Sequence, residues 1–189
     1  ELEGGYRSIA LPSGLAAITT SLLAFLKSGD HLLMVDTTYA PTRSFCDTVL
    51  TGLGIATSYY DPLADIEPLL RPDTRVVFAE SPGSLTYEVQ DIPRLAAAAR
   101  AAGAVVMLDN TWSAGLLFAP FAHGVDISIQ AATKYIVGHS DVMLGTITTT
   151  EACFLRAKRA SSLLGMAAGP DDCYLALRGL RTLAVRIAR

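Results

Sequence analysis

The sequence predicts an α/β fold, a mostly parallel sheet with helices on both faces in three αβα layers. One observation is a set of short runs that are apolar along nearly their whole length: HLLMVD (31–36), RVVFAE (75–80) and AVVMLD (104–109). Such runs read as strands buried on both faces. A second observation is the helical spacing of the segments between them, SFCDTVLTGL (44–53) and the alanine-rich IPRLAAAARAAG (92–103). Their alternation is the third, because parallel strands need crossovers of about this length. Right-handed crossovers then bring the loops at the strands' carboxyl ends to one edge of the sheet.

Each element follows in order. Arg7–Leu11 is a short apolar run, and Pro12-Ser13-Gly14 leads into LAAITTSLLAFL, where Leu15, Ile18, Leu22 and Phe25/Leu26 recur at helical spacing. Ser13 suits an N-cap, and Gly14 lets the backbone approach a ligand closely. A helix start of this kind can hold a phosphate on its free N–H groups, although Ser-Gly alone is an ordinary capped helix. Lys27–Asp30 ends the helix. After the strand 31–36 come a loop, Thr37–Pro41, the helix 44–53 and the strand IATSYYD (55–61). A short helix near Asp65–Leu70 precedes RVVFAESPGS, a strand running into a turn. The strand 104–109 ends on Asp109, and a further strand in DISIQ leads to Thr133 and Lys134. Beyond VMLGTITTT, helices are expected over Glu151–Leu164 and Asp171–Arg189. With no internal repeat, low-complexity segment or linker, residues 1–189 read as one domain.

Composition narrows the function. Hydrophobic residues make up 51% and charged residues 17%, which excludes disorder and leaves apolar surface for a core or a partner subunit. The 15 Lys+Arg against 18 Asp+Glu give a net charge of −3, with no basic run to attract nucleic acid or an anionic membrane. No apolar run reaches the roughly 18–20 residues of a membrane span. Cys46, Cys153 and Cys173 are odd in number and widely spaced, which suits a reducing compartment and no zinc site. The three histidines have no metal-ligand spacing. The expectation is a cytoplasmic domain that holds no metal and binds a small molecule.

Tyr39, Ser81–Ser84, Asp109, Thr133 and Lys134 all fall on the predicted carboxyl edge, a convergence that core packing does not require. Lys134, partly desolvated there, could form an imine with an aldehyde cofactor. Asp109 could hold a pyridine nitrogen protonated, making the ring an electron sink. Tyr39 could stack on a flat heterocycle, while Gly14, Leu15 and Thr133 could hold a phosphate. Taken singly, each has a plainer reading: a surface lysine, a turn aspartate, a loop-packing tyrosine. Asp141 and Arg178 are expected to stabilise loops or helix ends.

The motif DISIQAATKYIVGHSD (126–141), with SGLAA (13–17), DTTYAP (36–41), ESP (80–82), LDNTW (108–112) and RGLRTL (178–183) in that order, resembles the Cys/Met-metabolism family of pyridoxal-phosphate enzymes. The resemblance covers essentially the whole chain and implies the aspartate-aminotransferase-like fold, fold type I, with residues 1–189 as its large, cofactor-binding domain. It implies pyridoxal 5'-phosphate as cofactor, Lys134 as the Schiff-base lysine and Asp109 as partner of the ring nitrogen. Tyr39 would stack on the ring and, in the lyase branch, accept a proton from the incoming amino group. Gly14, Leu15 and Thr133 carry over as phosphate contacts.

Departures point to a branch. Ala131 stands where many members have Ser, and Ser84 where many have Asn beside the cofactor's phenolic oxygen. With the LDNTW tryptophan, these favour the branch that cleaves L-cystathionine by α,β-elimination to homocysteine, pyruvate and ammonia, in transsulfuration and methionine biosynthesis. Cystathionine γ-lyase, γ-synthase and methionine γ-lyase relatives would use the same core, and a non-catalytic module is the reading outside enzymology. A nicotinamide dehydrogenase would need G-x-G-x-x-G after the first strand, which the sequence lacks. The intact family is tetrameric, built from dimers that share active sites, so a homo-oligomer, a homotetramer in the family, is expected. Its amino-terminal arm with Tyr-x-Arg and its carboxyl-terminal domain with the α-carboxylate arginine have no counterpart in these 189 residues. The expectation is therefore an internal stretch of the enzyme, weakly active or inactive by itself.

Overall fold

Among the described residues seven strands join in one sheet, in the order β1-β7-β6-β5-β4-β2-β3. They are β1 (Arg7–Leu11), β2 (His31–Val35), β3 (Ala56–Tyr60), β4 (Thr74–Glu80), β5 (Val105–Asp109), β6 (Ile127–Gln130) and β7 (Gly145–Thr149). The computed structural model describes residues 2–188. Strands β2, β3, β4, β5 and β6 pair in parallel, and β7 runs antiparallel to both β6 and β1. Only β7 therefore opposes the rest, and β1, β2, β4, β5 and β6 all end on the same edge. The apolar run at 7–11 is a full strand, paired from Arg7 opposite Thr149 to Leu11 opposite Gly145.

Because successive side chains alternate between faces, each buried strand feeds two cores. On one face Leu32, Met34, Val76, Phe78, Met107 and Ile129 pack with α1 (Gly14–Phe25) and α4 (Glu151–Leu163). On the other, Leu33, Val35, Val77, Val106 and Leu108 meet α3 (Ile92–Ala101) through Ile92, Leu95, Ala96 and Ala99. Residues buried on both faces are why these strands read as unbroken apolar runs. A third, smaller cluster gathers Ala132, Val137, Val142 and Leu144 under Ala176 of α5 (Pro170–Leu180).

Two elements differ from the sequence expectation. The helix expected at 44–53 begins earlier, as α2 (Ala40–Phe45) with Pro41 in its first turn, and continues through a π-helical turn, Cys46–Leu50. Proline fixes the backbone dihedral that a first turn requires, so Pro41 starts the helix instead of ending the loop. The helix expected over Asp171–Arg189 is broken into α5 and α6 (Leu183–Ile187), and its last residue lies outside those described. The Gly179 carbonyl, which helix continuation would commit to Leu183, accepts instead from Thr182 Oγ1 at 3.1 Å and Arg186 Nη2 at 2.9 Å. Side chains that compete for a backbone carbonyl in this way end helices.

Candidate active site

The loops leaving β1, β2, β4, β5 and β6 meet around a cavity of about 300 Å³. Gly14, Leu15, Tyr39, Asp109, Thr133 and Lys134 all line it. Glu80, Thr111 and Trp112, to which the sequence reading gave no role, line it too. An open groove of about 800 Å³ adjoins it through Thr133, Lys134 and Met143 and runs on to Arg186.

The start of α1 forms one wall. Ser13 Oγ accepts from Ala16 N at 3.0 Å, the expected N-cap. The N–H groups of Gly14 and Leu15 have no acceptor among the described residues. A Cβ at Gly14 would sit 2.7 Å from that of Ala131, so glycine alone lets α1 close onto the turn after β6. The result is a pair of free amides at the positive end of a 12-residue helix, a geometry suited to a phosphate.

Asp109 ends β5 and is buried. Its Oδ1 accepts from Thr111 N at 3.0 Å and from Thr111 Oγ1 at 2.5 Å, which leaves Oδ2 without a donor among the described residues. Thr111 Oγ1 accepts in turn from Ala131 N at 2.8 Å, tying the carboxylate to the turn that carries Lys134. Burial raises the proton affinity of Asp109, opposed by the two Thr111 hydrogen bonds and the nearby Lys134 charge. A cationic N–H donor at Oδ2 would supply the missing partner for the ionised form.

Lys134 sits in the turn after β6, with Nζ 5.8 Å from the centroid of the Tyr39 ring. The side chain is exposed, so the partial desolvation expected from sequence is not supplied by the elements of this chain. The turn after β6 packs Ala132 and Ile136 against α5 but leaves Thr133, Lys134 and Tyr135 lining the open groove. Thr133 Oγ1 donates to Leu144 O at 3.2 Å and accepts from Leu144 N at 2.8 Å, leaving it one acceptor position and no spare proton. Its hydroxyl is therefore a weaker phosphate donor than expected. Ser84 does not line the cavity; its hydroxyl donates to Glu80 Oε1 at 2.6 Å. Trp112 forms an aromatic cluster with Tyr87 and Tyr135, at centroid distances of 5.3 and 6.2 Å.

The remaining expected structural residues hold surface or core contacts. Arg178 pairs with Asp141, buried His31 bonds Thr74 Oγ1 through Nδ1 at 2.8 Å, and His139 Nδ1 lies 2.7 Å from Val137 O. His123 stacks on Phe118.

An amine, a buried carboxylate with an open oxygen, an aromatic ring and two free helix-start amides around one cavity fit an aldehyde-bearing pyridine phosphate. A mostly parallel sheet that gathers them at its carboxyl edge defines the class, the α/β fold of fold type I pyridoxal-phosphate enzymes. All of residues 1–189 match the family model of Cys/Met metabolism PLP-dependent enzymes, and the chain belongs to that family. It is 49% identical over 191 residues to cystathionine beta-lyase MetC of Escherichia coli (strain K12), covering 99% of this chain and 48% of that protein. Cystathionine beta-lyase of Salmonella typhimurium is 48% identical over 191 residues, with the same coverage. The crystal structure of cystathionine gamma-lyase from Lactobacillus plantarum complexed with L-serine superimposes with a TM-score of 0.95 at 30% identity, over 97% of this chain and 49% of that one. The chain thus spans about half the length of the curated relatives it matches.

Proposed function

We propose that these residues form the cofactor-binding domain of a cytoplasmic, homo-oligomeric carbon–sulfur lyase that cleaves L-cystathionine by α,β-elimination. The products are homocysteine, pyruvate and ammonia. The observation that carries the reaction type is that Lys134, Tyr39 and Asp109 line one cavity, with the Asp109 Oδ2 open to it. The substrate follows the names of relatives 48–49% identical along the whole chain.

Bound pyridoxal phosphate supplies an aldehyde that links to amino groups and a pyridinium ring that stores the electron pair released at the substrate's Cα. The protein's own residues do the rest. Asp109 Oδ2 would accept the ring N–H, and Thr111, by bonding the other oxygen, favours the ionised carboxylate against the effect of burial. The Gly14 and Leu15 amides hold the phosphate against the positive end of α1, with Thr133 beside them. Tyr39 would cover the ring, and its phenolic oxygen, once deprotonated, would accept a proton from the incoming amino group. Lys134 Nζ takes the proton from Cα and delivers one to the departing sulfur, a transfer that needs the amine within reach of both atoms.

The test uses the purified protein. Pyridoxal phosphate should give an absorbance band that Lys134→Ala abolishes, and whatever turnover of L-cystathionine the protein supports should release pyruvate. Release of 2-oxobutyrate in its place would move the assignment to γ-elimination. A band that survives in Lys134→Ala removes the lysine from its role.

A further inference from the structure

We propose that Glu80 is the positioning residue that fixes Tyr39 at the cavity, by clamping the loop after β2 to the loop after β4. The inference rests on the cofactor reading above and deepens it. Glu80 ends a strand that is apolar from Val76 to Ala79, and it is only 4% exposed. Buried carboxylates usually pair with a cation, yet among the described residues Glu80 has no ion-pair partner. Three neutral donors hold it. Oε2 accepts from Tyr39 N at 2.8 Å and from Thr38 Oγ1 at 3.3 Å, both on the loop after β2. Oε1 accepts from Ser84 Oγ at 2.6 Å, on the loop after β4. The same loops meet again where Ser84 N donates to Thr37 O at 2.9 Å, and a Cβ at Gly83 would lie 2.6 Å from Thr37 Oγ1.

Tyr39 needs such a hold. Its residue is 45% exposed, and the nearest charged group over its ring is Lys134 Nζ at 5.8 Å. Packing does not wedge an exposed ring in place, so its position follows from its backbone. The Tyr39 carbonyl starts α2, accepting from Thr42 N at 2.9 Å, and the Tyr39 N–H is held by Glu80. The pairing of Glu80 with Asp109 across β4 and β5 sets the clamp beside the aspartate, so ring cover and ring-nitrogen partner share one rigid wall. A hydrophobic residue at position 80 would pack equally well and leave the Tyr39 amide unbonded. Gln can accept through its amide oxygen and bond a hydroxyl through its amide nitrogen, whereas Asp is one methylene too short to span both loops.

The experiment compares wild type, Glu80→Ala, Glu80→Asp, Glu80→Gln, Tyr39→Ala and the Glu80→Ala/Tyr39→Ala double variant. Pyridoxal-phosphate affinity is read by absorbance titration, and Tyr39 amide exchange by NMR on cofactor-free protein. E80A and E80D should each bind about tenfold more weakly, the size of one lost buried hydrogen bond, and E80Q should recover most of that loss. The double variant should bind no more weakly than Y39A, because Glu80 acts through the tyrosine. In the cofactor-free protein the Tyr39 amide should exchange at least about tenfold faster in E80A and E80D, with β5 amides unchanged. Losses that multiply in the double variant, or Tyr39 exchange at the wild-type rate in both E80A and E80D, overturn the proposal. Should E80A not fold, E80D and E80Q give the same comparison. Wild-type protein that leaves the cofactor's spectrum unchanged defeats the cofactor reading, while the exchange measurement still decides the clamp.

Discussion

Asp109 keeps one oxygen open to the cavity because Thr111 occupies only the other. Removing the hydroxyl, as in Thr111→Val, strips a 2.5 Å hydrogen bond from a buried carboxylate and leaves the Ala131 N–H without its acceptor. The cost is about 1–3 kcal/mol of stability, with a raised Asp109 proton affinity and weaker cofactor binding, and Thr111→Ser should restore both. Urea unfolding and absorbance titration measure the two effects, and a T111V protein as stable as wild type refutes the first. Sequence reading reached Asp109 and Lys134 because an acid ending an apolar run and a lysine after another are conspicuous. It gave no role to Thr111 or Glu80, although Glu80 ends an apolar run just as Asp109 does. What identifies Glu80 is register, its pairing with Asp109 on the adjacent strand, and one-dimensional spacing carries no register.

Helix α1 has two duties, closing one core face through Ile18, Leu22 and Phe25 and presenting its first amides to the cavity. Gly14 is where they conflict, since any side chain there meets Ala131. Gly14→Ala should cost about 1–3 kcal/mol from overpacking and push the helix start off the phosphate position, with Ala131→Gly recovering part of the loss. Chemical denaturation together with inorganic phosphate competition against pyridoxal phosphate checks both halves. Deeper in the helix, Leu22→Ala should cost about 2–5 kcal/mol and leave cofactor affinity in the folded fraction unchanged. A loss of affinity larger than that of G14A would mean the helix start follows the core. The helix was readable because its apolar spacing is regular and Ser13 marks its start. The α5–α6 break was not, because it depends on Arg186 reaching the Gly179 and Ile136 carbonyls, contacts set by tertiary approach.

The sheet places its titratable burdens on opposite edges, and they respond to pH with opposite signs. At the amino edge His31 is fully buried with Nε2 unbonded, and burial, then the Arg71 charge, lower its pKa below 6.5. The unfolded chain therefore binds a proton there that the native state refuses, so this term lowers stability as pH falls through 6.5. At the carboxyl edge burial, and then the Asp109 charge, raise Glu80 from 4.5 to about 7. In that window the native state holds a proton the unfolded chain has released, so stability is fully present below 4.5 and declines as pH rises toward 7. The Glu80 term reaches at most roughly 3 kcal/mol, from the linkage of about 1.4 kcal/mol per pKa unit. Urea unfolding of the cofactor-free protein at pH 5 and pH 7.5 separates the two contributions. Glu80→Gln should gain stability relative to wild type between those values, and His31→Asn should flatten the loss on the acid side. A Glu80→Gln protein whose difference from wild type is the same at both pH values would show that Glu80 carries one charge state throughout. The clamp on Tyr39 would then be held by an ion at every pH instead of by a neutral acid below 7.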